Sequence, residues 1–170
     1  MNHRIIKVAE KKDLAGIRKL AEKIWPATYA DILSAGQIDY MMGQIYSMDS
    51  LLKQIDEYHH IFLILEYDAQ PAGFASYSLY PEEKKGKLQK IYVDPALQGK
   101  GLGQFLLKDV EERVKATGCH TLHLNVNRHN KAKSFYEKQG FVVIRNEDID
   151  IGSGFLMNDY VMQKNIVNSR

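Results

Sequence analysis

The residues best suited to chemistry lie in one short run, Gln98-Gly99-Lys100-Gly101-Leu102-Gly103. Its three glycines let main-chain N–H groups turn inward and approach a ligand closely. The run opens into a segment of helical periodicity. Free amides at a helix N-terminus, at the positive end of the dipole, favour an anion and most often a phosphate. Spacing excludes two common phosphate loops. A Walker A loop needs Gly-Lys followed by Ser or Thr, and Lys100 is followed by Gly101. A dinucleotide fingerprint needs a glycine three residues past its second one, and Leu106 stands there. What remains is Gln98-x-x-Gly101-x-Gly103 after Ile91-Tyr92-Val93-Asp94-Pro95, which reads as a diphosphate site of unassigned ownership.

Other reactive side chains are less organised. The chain has six histidines. The pair His59-His60 and the set His120, His123 and His129 lack metal-ligand spacing. His120 and His123 fall three apart on an expected strand and so point to opposite faces. No metal is expected. Cys119 is the single cysteine, so no intrachain disulfide is possible and a small buried residue is expected. A cytoplasmic location fits. The net charge of +2 exerts no global pull toward nucleic acid. From Lys84 to Lys115 eight Lys/Arg stand against four acids, an excess that surrounds the glycine run. It suits either a solvated surface or a field that draws in a small polyanion. No apolar run reaches the roughly 20 residues needed to cross a bilayer, and the N-terminus has no signal-peptide pattern.

The elements that must position these residues follow from periodicity and punctuation. Residues 4–9 read as a strand. Asp13 is a plausible N-cap for a helix carrying Leu14, Ile17, Ala21, Ile24 and Trp25, which Pro26 should end, leaving residues 26–29 as a break. Ser34 caps a second helical pattern (Ile38, Met41, Met42, Ile45, Tyr46). A third follows Asp49 (Leu51, Leu52, Ile55, Tyr58). Residues 61–67 form a buried strand, 68–73 a hairpin turn, 74–80 the return strand, 81–86 a turn, and 88–93 the strand before the glycine run. A helix with Leu102, Phe105, Leu106, Val110 and Val114 ends near Gly118, and residues 121–126 return as a strand. Asn130 caps a short helix ended by Gly140. Residues 141–144 are a strand, 146–154 a polar connection, 155–163 a last strand, and 166–170 a frayed tail. One domain over residues 1–170 is expected. The strand–loop–helix–strand unit should be a right-handed crossover, with its loop at the strand's C-terminal end.

The sequence resembles the GNAT superfamily of N-acetyltransferases. Its first hallmark, Gln/Arg-x-x-Gly-x-Gly/Ala after a strand, is matched by Gln98, Gly101 and Gly103. The second is matched downstream by Asn130, Ala132 (one place early), Phe135, Tyr136, Gly140 and Phe141. The resemblance covers about residues 63–164. The segments Ile24-Trp25-Pro26-x-Thr28-Tyr29 and Asp159-Tyr160-Val161-Met162 also resemble a bacterial subgroup that includes polyamine-acetylating members.

The resemblance implies a fold and a donor. The fold is mixed α/β (α+β), with a largely antiparallel twisted sheet of about seven strands, flanking helices and splayed central strands. The donor is acetyl-CoA. Amides of Gln98, Gly99, Lys100, Gly101, Leu102 and Gly103 would hold its pyrophosphate. Gln104 stands where the family often has a small or basic residue. Main-chain groups of Ile91, Tyr92 and Val93 would pair with the pantetheine arm, and Asn130 would bond the cofactor. Tyr136 matches the family's tyrosine acid, which returns a proton to the leaving thiolate.

Many relatives carry a Glu base in the strand before the loop. Here that strand offers Lys87, Gln89 and Lys90, so the proton goes to ordered water or to a carboxylate from elsewhere, such as Asp31, Glu57 or Glu66. Trp25 and Tyr29, beside the expected helix break, and Gln89 are candidates to line the site of a small-molecule amine acceptor, polyamine-like or amino-acid-like. A homodimer is implied, with residues 145–163 supplying edge strands, and neither nucleic acid nor membrane is an expected partner. A non-catalytic acyl-CoA-binding module, or an acetyltransferase acting on protein N-termini or lysines, is the alternative.

Overall fold

The computed structural model describes residues 3–167. The fold is mixed α/β: five helices and a mostly antiparallel, open, seven-stranded sheet of order β1-β2-β3-β4-β5-β7-β6. The chain divides into two compact units, Met1–Ser78 with Lys90–Val110, and Leu79–Gln89 with Glu111–Arg170.

The first unit begins with strand β1 (Arg4–Val8) and helices α1 (Leu14–Tyr29), α2 (Ala35–Tyr46) and α3 (Met48–Asp56). Strands β2 (Ile61–Tyr67) and β3 (Gln70–Tyr80) follow. Helix α1 buries Leu14, Ile17, Ala21, Ile24 and Trp25, a stripe at three- and four-residue spacing that faces the core. Ser34 and Ser47 cap α2 and α3, accepting the N–H groups of Gln37 and Ser50 at 3.1 and 3.2 Å.

Asp13 stands at the expected N-cap position of α1 but makes no side-chain capping bond to it. A 3-10 turn, Lys11–Asp13, precedes the helix, and the Glu10 N–H donates to Asp13 Oδ2 at 2.8 Å. The backbone of Asp13 is already helical (φ −88°, ψ −10°), whereas a capping side chain usually stands on extended backbone. Nor does Pro26 end α1, which runs three residues further with Pro26 inside it. Trp25 and Tyr29, four residues apart, stack at 4.5 Å between ring centroids and are both buried. That burial offsets the helix hydrogen bond that a proline lacks.

Strands β1, β2 and β3 form an antiparallel meander. The expected six-residue hairpin turn is only two residues, Asp68 and Ala69, both left-handed (φ 49° and 64°). Residues 70–73 therefore belong to β3, where Pro71 pairs with Glu66 beside a bulge. Gly73 is required by close approach, because a Cβ there would collide with the main-chain carbonyl of Tyr92.

Strand β4 (Lys85–Val93) starts earlier than the expected turn allows, the turn being a short 3-10 segment, Pro81–Glu83. In the second unit its first residues, Lys85–Leu88, pair in parallel with Thr121–Leu124 of β5 (Thr121–Asn127). The link is helix α4 (Leu102–Ala116), and β4 gives Gly86 no room for a side chain against Val114. Helix α5 (Ala132–Lys138) leads to β6 (Val142–Gly152), which pairs antiparallel with β7 (Phe155–Asn165). The expected polar connection over 146–154 is thus mostly strand. Its residues read as loop because β6 ends the sheet order and is exposed along most of its length. Ile166 is buried, and its N–H bonds the His120 carbonyl at 2.9 Å, so the expected frayed tail does not begin there. Residues 168–170 of that tail lie outside the described residues.

Candidate active site

Strand β4 ends in an anchored turn. The Asp94 N–H bonds the Ala72 carbonyl at 2.8 Å. Asp94 Oδ1 accepts the Ala96 N–H at 3.0 Å, capping the 3-10 turn Pro95–Leu97. Its Oδ2 receives Lys23 Nζ at 2.6 Å, and this hydrogen bond holds the buried carboxyl below the usual range. Past this anchor Gln98 is extended, and Gly99 (φ 83°) and Gly101 (φ 73°) are left-handed. Gly101 accepts the Phe105 N–H at 3.0 Å, the first turn of α4. The N–H groups of Leu102, Gly103 and Gln104 precede that bond and have no partner within the helix.

Leu102 is 2 % exposed and pins the helix start. Gln98, Gly99, Lys100, Gly101 and Gln104 are exposed. A Cβ on Gly99 or Gly101 would meet nothing within 4 Å, so glycine is needed there for backbone conformation, and the loop fronts open space. Lys100 Nζ lies 5.8 Å from the Tyr67 ring centroid. Open left-handed glycines ahead of a helix N-terminus suit an anion. The parallel ladder of β4 stops at Leu88, so Ile91, Tyr92 and Val93 lie beyond it, half-buried, as does Gln89.

Behind β4 the first unit builds an aromatic cluster. The Trp25 ring lies 5.7 Å from Tyr46 and 5.9 Å from Tyr92, and Phe74 lies 5.6 Å from Tyr92. The Trp25 indole N–H donates to the Tyr46 hydroxyl at 3.0 Å, and Tyr29 and Tyr92 share a hydroxyl hydrogen bond of 2.8 Å. Burial pushes the Tyr46 phenol well above its ordinary pKa, so it stays protonated. No helix break accompanies Trp25 and Tyr29, and both are buried among these rings.

Lys90 lies nearby in the chain. Its ammonium donates to Gln54 Oε1 at 2.5 Å and sits 5.3 Å from the Phe62 ring centroid. Gln54 and Phe62 are buried, and burial pushes the Lys90 ammonium down to about 8. The residue is half-buried overall, so it is the ammonium end that is desolvated. Of the proposed carboxylate bases, Asp31 and Glu57 are exposed, and Glu66 pairs with Lys7 at 3.0 Å.

The second unit holds Asn130 and Tyr136. Asn130 is not the N-cap, a position taken by Lys131; its side-chain oxygen accepts the Ala132 N–H at 2.9 Å in the turn before α5. Tyr136 is buried on α5, 5.8 Å from Phe141 between ring centroids. Gly140 (φ 99°) closes the helix. The sequence names Asp159 on β7 only as part of the Asp159–Met162 segment and gives it no role of its own; it is 6 % exposed. Burial, and to a lesser degree the charge of Glu147, pushes its carboxyl up against a hydrogen bond from Asn125. The available signal was a carboxylate two residues from buried Val161 on the same strand face. Among the described residues no group of three or more His, Cys, Asp or Glu could hold a metal ion, and no helix is long and apolar enough to cross a membrane.

The seven-stranded mixed sheet and the glycine-bearing loop between β4 and α4 are the frame on which the comparisons with known proteins bear. The acetyltransferase (GNAT) family model matches residues 17–141, through both units, and the chain belongs to that family of acetyl-CoA-dependent N-acetyltransferases. The spermidine N(1)-acetyltransferase of Thermoplasma acidophilum is 32% identical over 151 residues, covering 86% of this chain and 90% of that protein. The spermine/spermidine N(1)-acetyltransferase of Bacillus subtilis is 30% identical over 118 residues, 64% of this chain and 75% of that one. The crystal structure of a PaiA N-acetyltransferase from Thermoplasma acidophilum in complex with coenzyme A superposes with a TM-score of 0.80 at 29% identity, covering 96% of this chain and 99% of that one.

Proposed function

We propose that the protein transfers the acetyl group of acetyl-CoA to a primary amine of a small, polyamine-like acceptor by direct attack. The observation that carries the reading is the loop, where left-handed Gly99 and Gly101 and the first amides of α4 front open space. Amides from Gln98 to Gln104 hold the pyrophosphate, with Lys100 adding charge. Main-chain groups of Ile91, Tyr92 and Val93 bind the pantetheine arm as an added strand, and Asn130 contacts the cofactor. The polyamine class is supported by the Thermoplasma and Bacillus relatives.

A neutral amine attacks the thioester carbonyl, a C–N bond forms and the C–S bond breaks. Charge on the tetrahedral oxygen needs an N–H donor, which β4 main chain supplies, and the thiolate needs a proton, which Tyr136 donates. The acceptor's own proton leaves through water, with Gln89 at the acceptor side; Trp25 and Tyr29, buried in the aromatic cluster, brace that side rather than touch the acceptor. Residues 1–170 act as one acetyltransferase domain. Two copies pair through residues 145–163, where β6 ends the sheet order and exposes Val142, Val143 and Ile144 just before it; a monomer in sedimentation at micromolar concentration contradicts the pairing.

The test is thiol release from acetyl-CoA with polyamines, amino acids, aminoglycosides and peptides as acceptors. Polyamines are expected to turn over fastest. Tyr136→Phe is expected to lower kcat about 100-fold, the scale of a lost proton donor, with acetyl-CoA affinity kept. Cofactor binding without acetylation of any acceptor would instead make the protein a non-catalytic acyl-CoA-binding module.

A further inference from the structure

Strand β7 carries one carboxylate into the interior of the second unit. Asp159 pairs with Asn127 of β5 on one side and Glu147 of β6 on the other. Its Oδ2 receives a single N–H, from Asn125 Nδ2 at 3.3 Å. Its Oδ1 is enclosed and has no hydrogen-bond partner. A carboxylate offers about four acceptor positions, so this one is far short of its complement. Burying a charge in that state is costly unless something pairs with it.

The neighbouring charges do not supply the pair. Arg128 is engaged by Asp148, and its Nε is itself buried without a partner. Lys87 and Arg128 favour the charged form of Asp159 through their charge without a hydrogen bond to it, and Glu147 opposes them. A water molecule could fill the gap at Oδ1 but would leave the charge uncompensated. A protonated amine supplies both the charge and up to three N–H donors.

We propose that Asp159, with Asn125 beside it and Glu147 opposite, is a binding site for a protonated amine, and that it takes the ammonium of the acceptor that does not react. The distinction follows from the chemistry. The attacking nitrogen must be neutral, whereas a nitrogen held on a carboxylate keeps its proton. The site therefore selects acceptors with at least two amines. This inference rests on the amine-acceptor reading above.

The test compares putrescine with butylamine, which has the same carbon chain and lacks the second amine. Wild-type protein is expected to favour the diamine in kcat/KM, and Asp159→Asn to reduce that preference at least about tenfold, the scale of one lost charge-assisted bond. A wild type indifferent to the second amine, or a preference unchanged in Asp159→Asn, overturns the proposal. Should Asp159→Asn fail to fold, carbon-13 NMR of the wild-type Asp159 carboxyl decides: its resonance is expected to move on titration with putrescine and not with butylamine, and no movement overturns the proposal. If wild type acetylates no amine at all, the functional reading fails while the NMR titration still decides this site.

Discussion

In the first unit the Trp25 indole, Tyr29, Tyr46 and Tyr92 hydrogen-bond one another inside an aromatic cluster. In the second, Asp159 Oδ1 and Arg128 Nε are equally enclosed and have no partner. Both sets are polar groups withdrawn from water, yet only the first is satisfied internally. Satisfied networks rigidify a core, whereas unsatisfied ones cost stability and persist where something else rewards them. By this criterion the aromatic cluster is architecture, whereas Asp159 is the group that the proposed amine site accounts for. Lys90 stands between the two cases, hydrogen-bonded to Gln54 yet without a carboxylate that shifts it.

The sharpest way to break the comparison is Trp25→Ala. If the cluster is architecture, the change costs about 4 kcal/mol by loss of a buried aromatic, or about 10 °C in melting temperature. A raised acceptor KM at an unchanged melting temperature would falsify the assignment.

Next in size is Lys90. Its ammonium is lowered from 10.5 to about 8 in the folded chain. Between these values the unfolded chain binds more protons, so stability rises with pH across that window. Below about 8 the full penalty, roughly 3 kcal/mol, is present. Denaturant titrations of wild type and Lys90→Met should therefore converge from pH 8 to 10.5; parallel curves contradict the desolvation.

Tyr46→Phe removes the acceptor of the Trp25 N–H and is expected to cost about 1–2 kcal/mol, read as a melting shift of about 4 °C with kinetics preserved. The smallest effect is the stability of Asp159→Asn. The native carboxyl is raised, so the folded chain binds more protons and wild-type stability falls as pH rises through that group's titration. The variant is expected to gain on wild type at neutral pH and not in acid. A wild type that leads at neutral pH means that Asp159 already has a partner.

The loop was legible because glycine, proline and aspartate punctuate it. Asp94-Pro95 and the Gly99–Gly101 pair impose backbone states that few other residues accept. The helices were legible from their apolar stripes. Pro26 misled because the contest was tertiary: stacking of Trp25 on Tyr29 within a buried cluster outweighed one missing hydrogen bond. Residues 146–152 misled for the opposite reason. An edge strand exposed along most of its length carries charges that read as loop. Asp159 was hidden because spacing reports which face a residue takes and says nothing of whether its oxygens are matched there. Tyr136 and Asn130 were singled out through the pattern they share with a family rather than through periodicity.

Pro26 has one more consequence. Without an N–H, the proline leaves the Glu22 carbonyl without its usual rung, while the Ala30 N–H still closes on the Pro26 carbonyl at 3.0 Å. In hydrogen-exchange terms α1 is then two cooperative segments joined by an incomplete turn. Amides 27–30 should exchange ahead of amides 18–25. The last turn, which carries Tyr29, can open while the stripe from Ile17 to Ile24 stays shut.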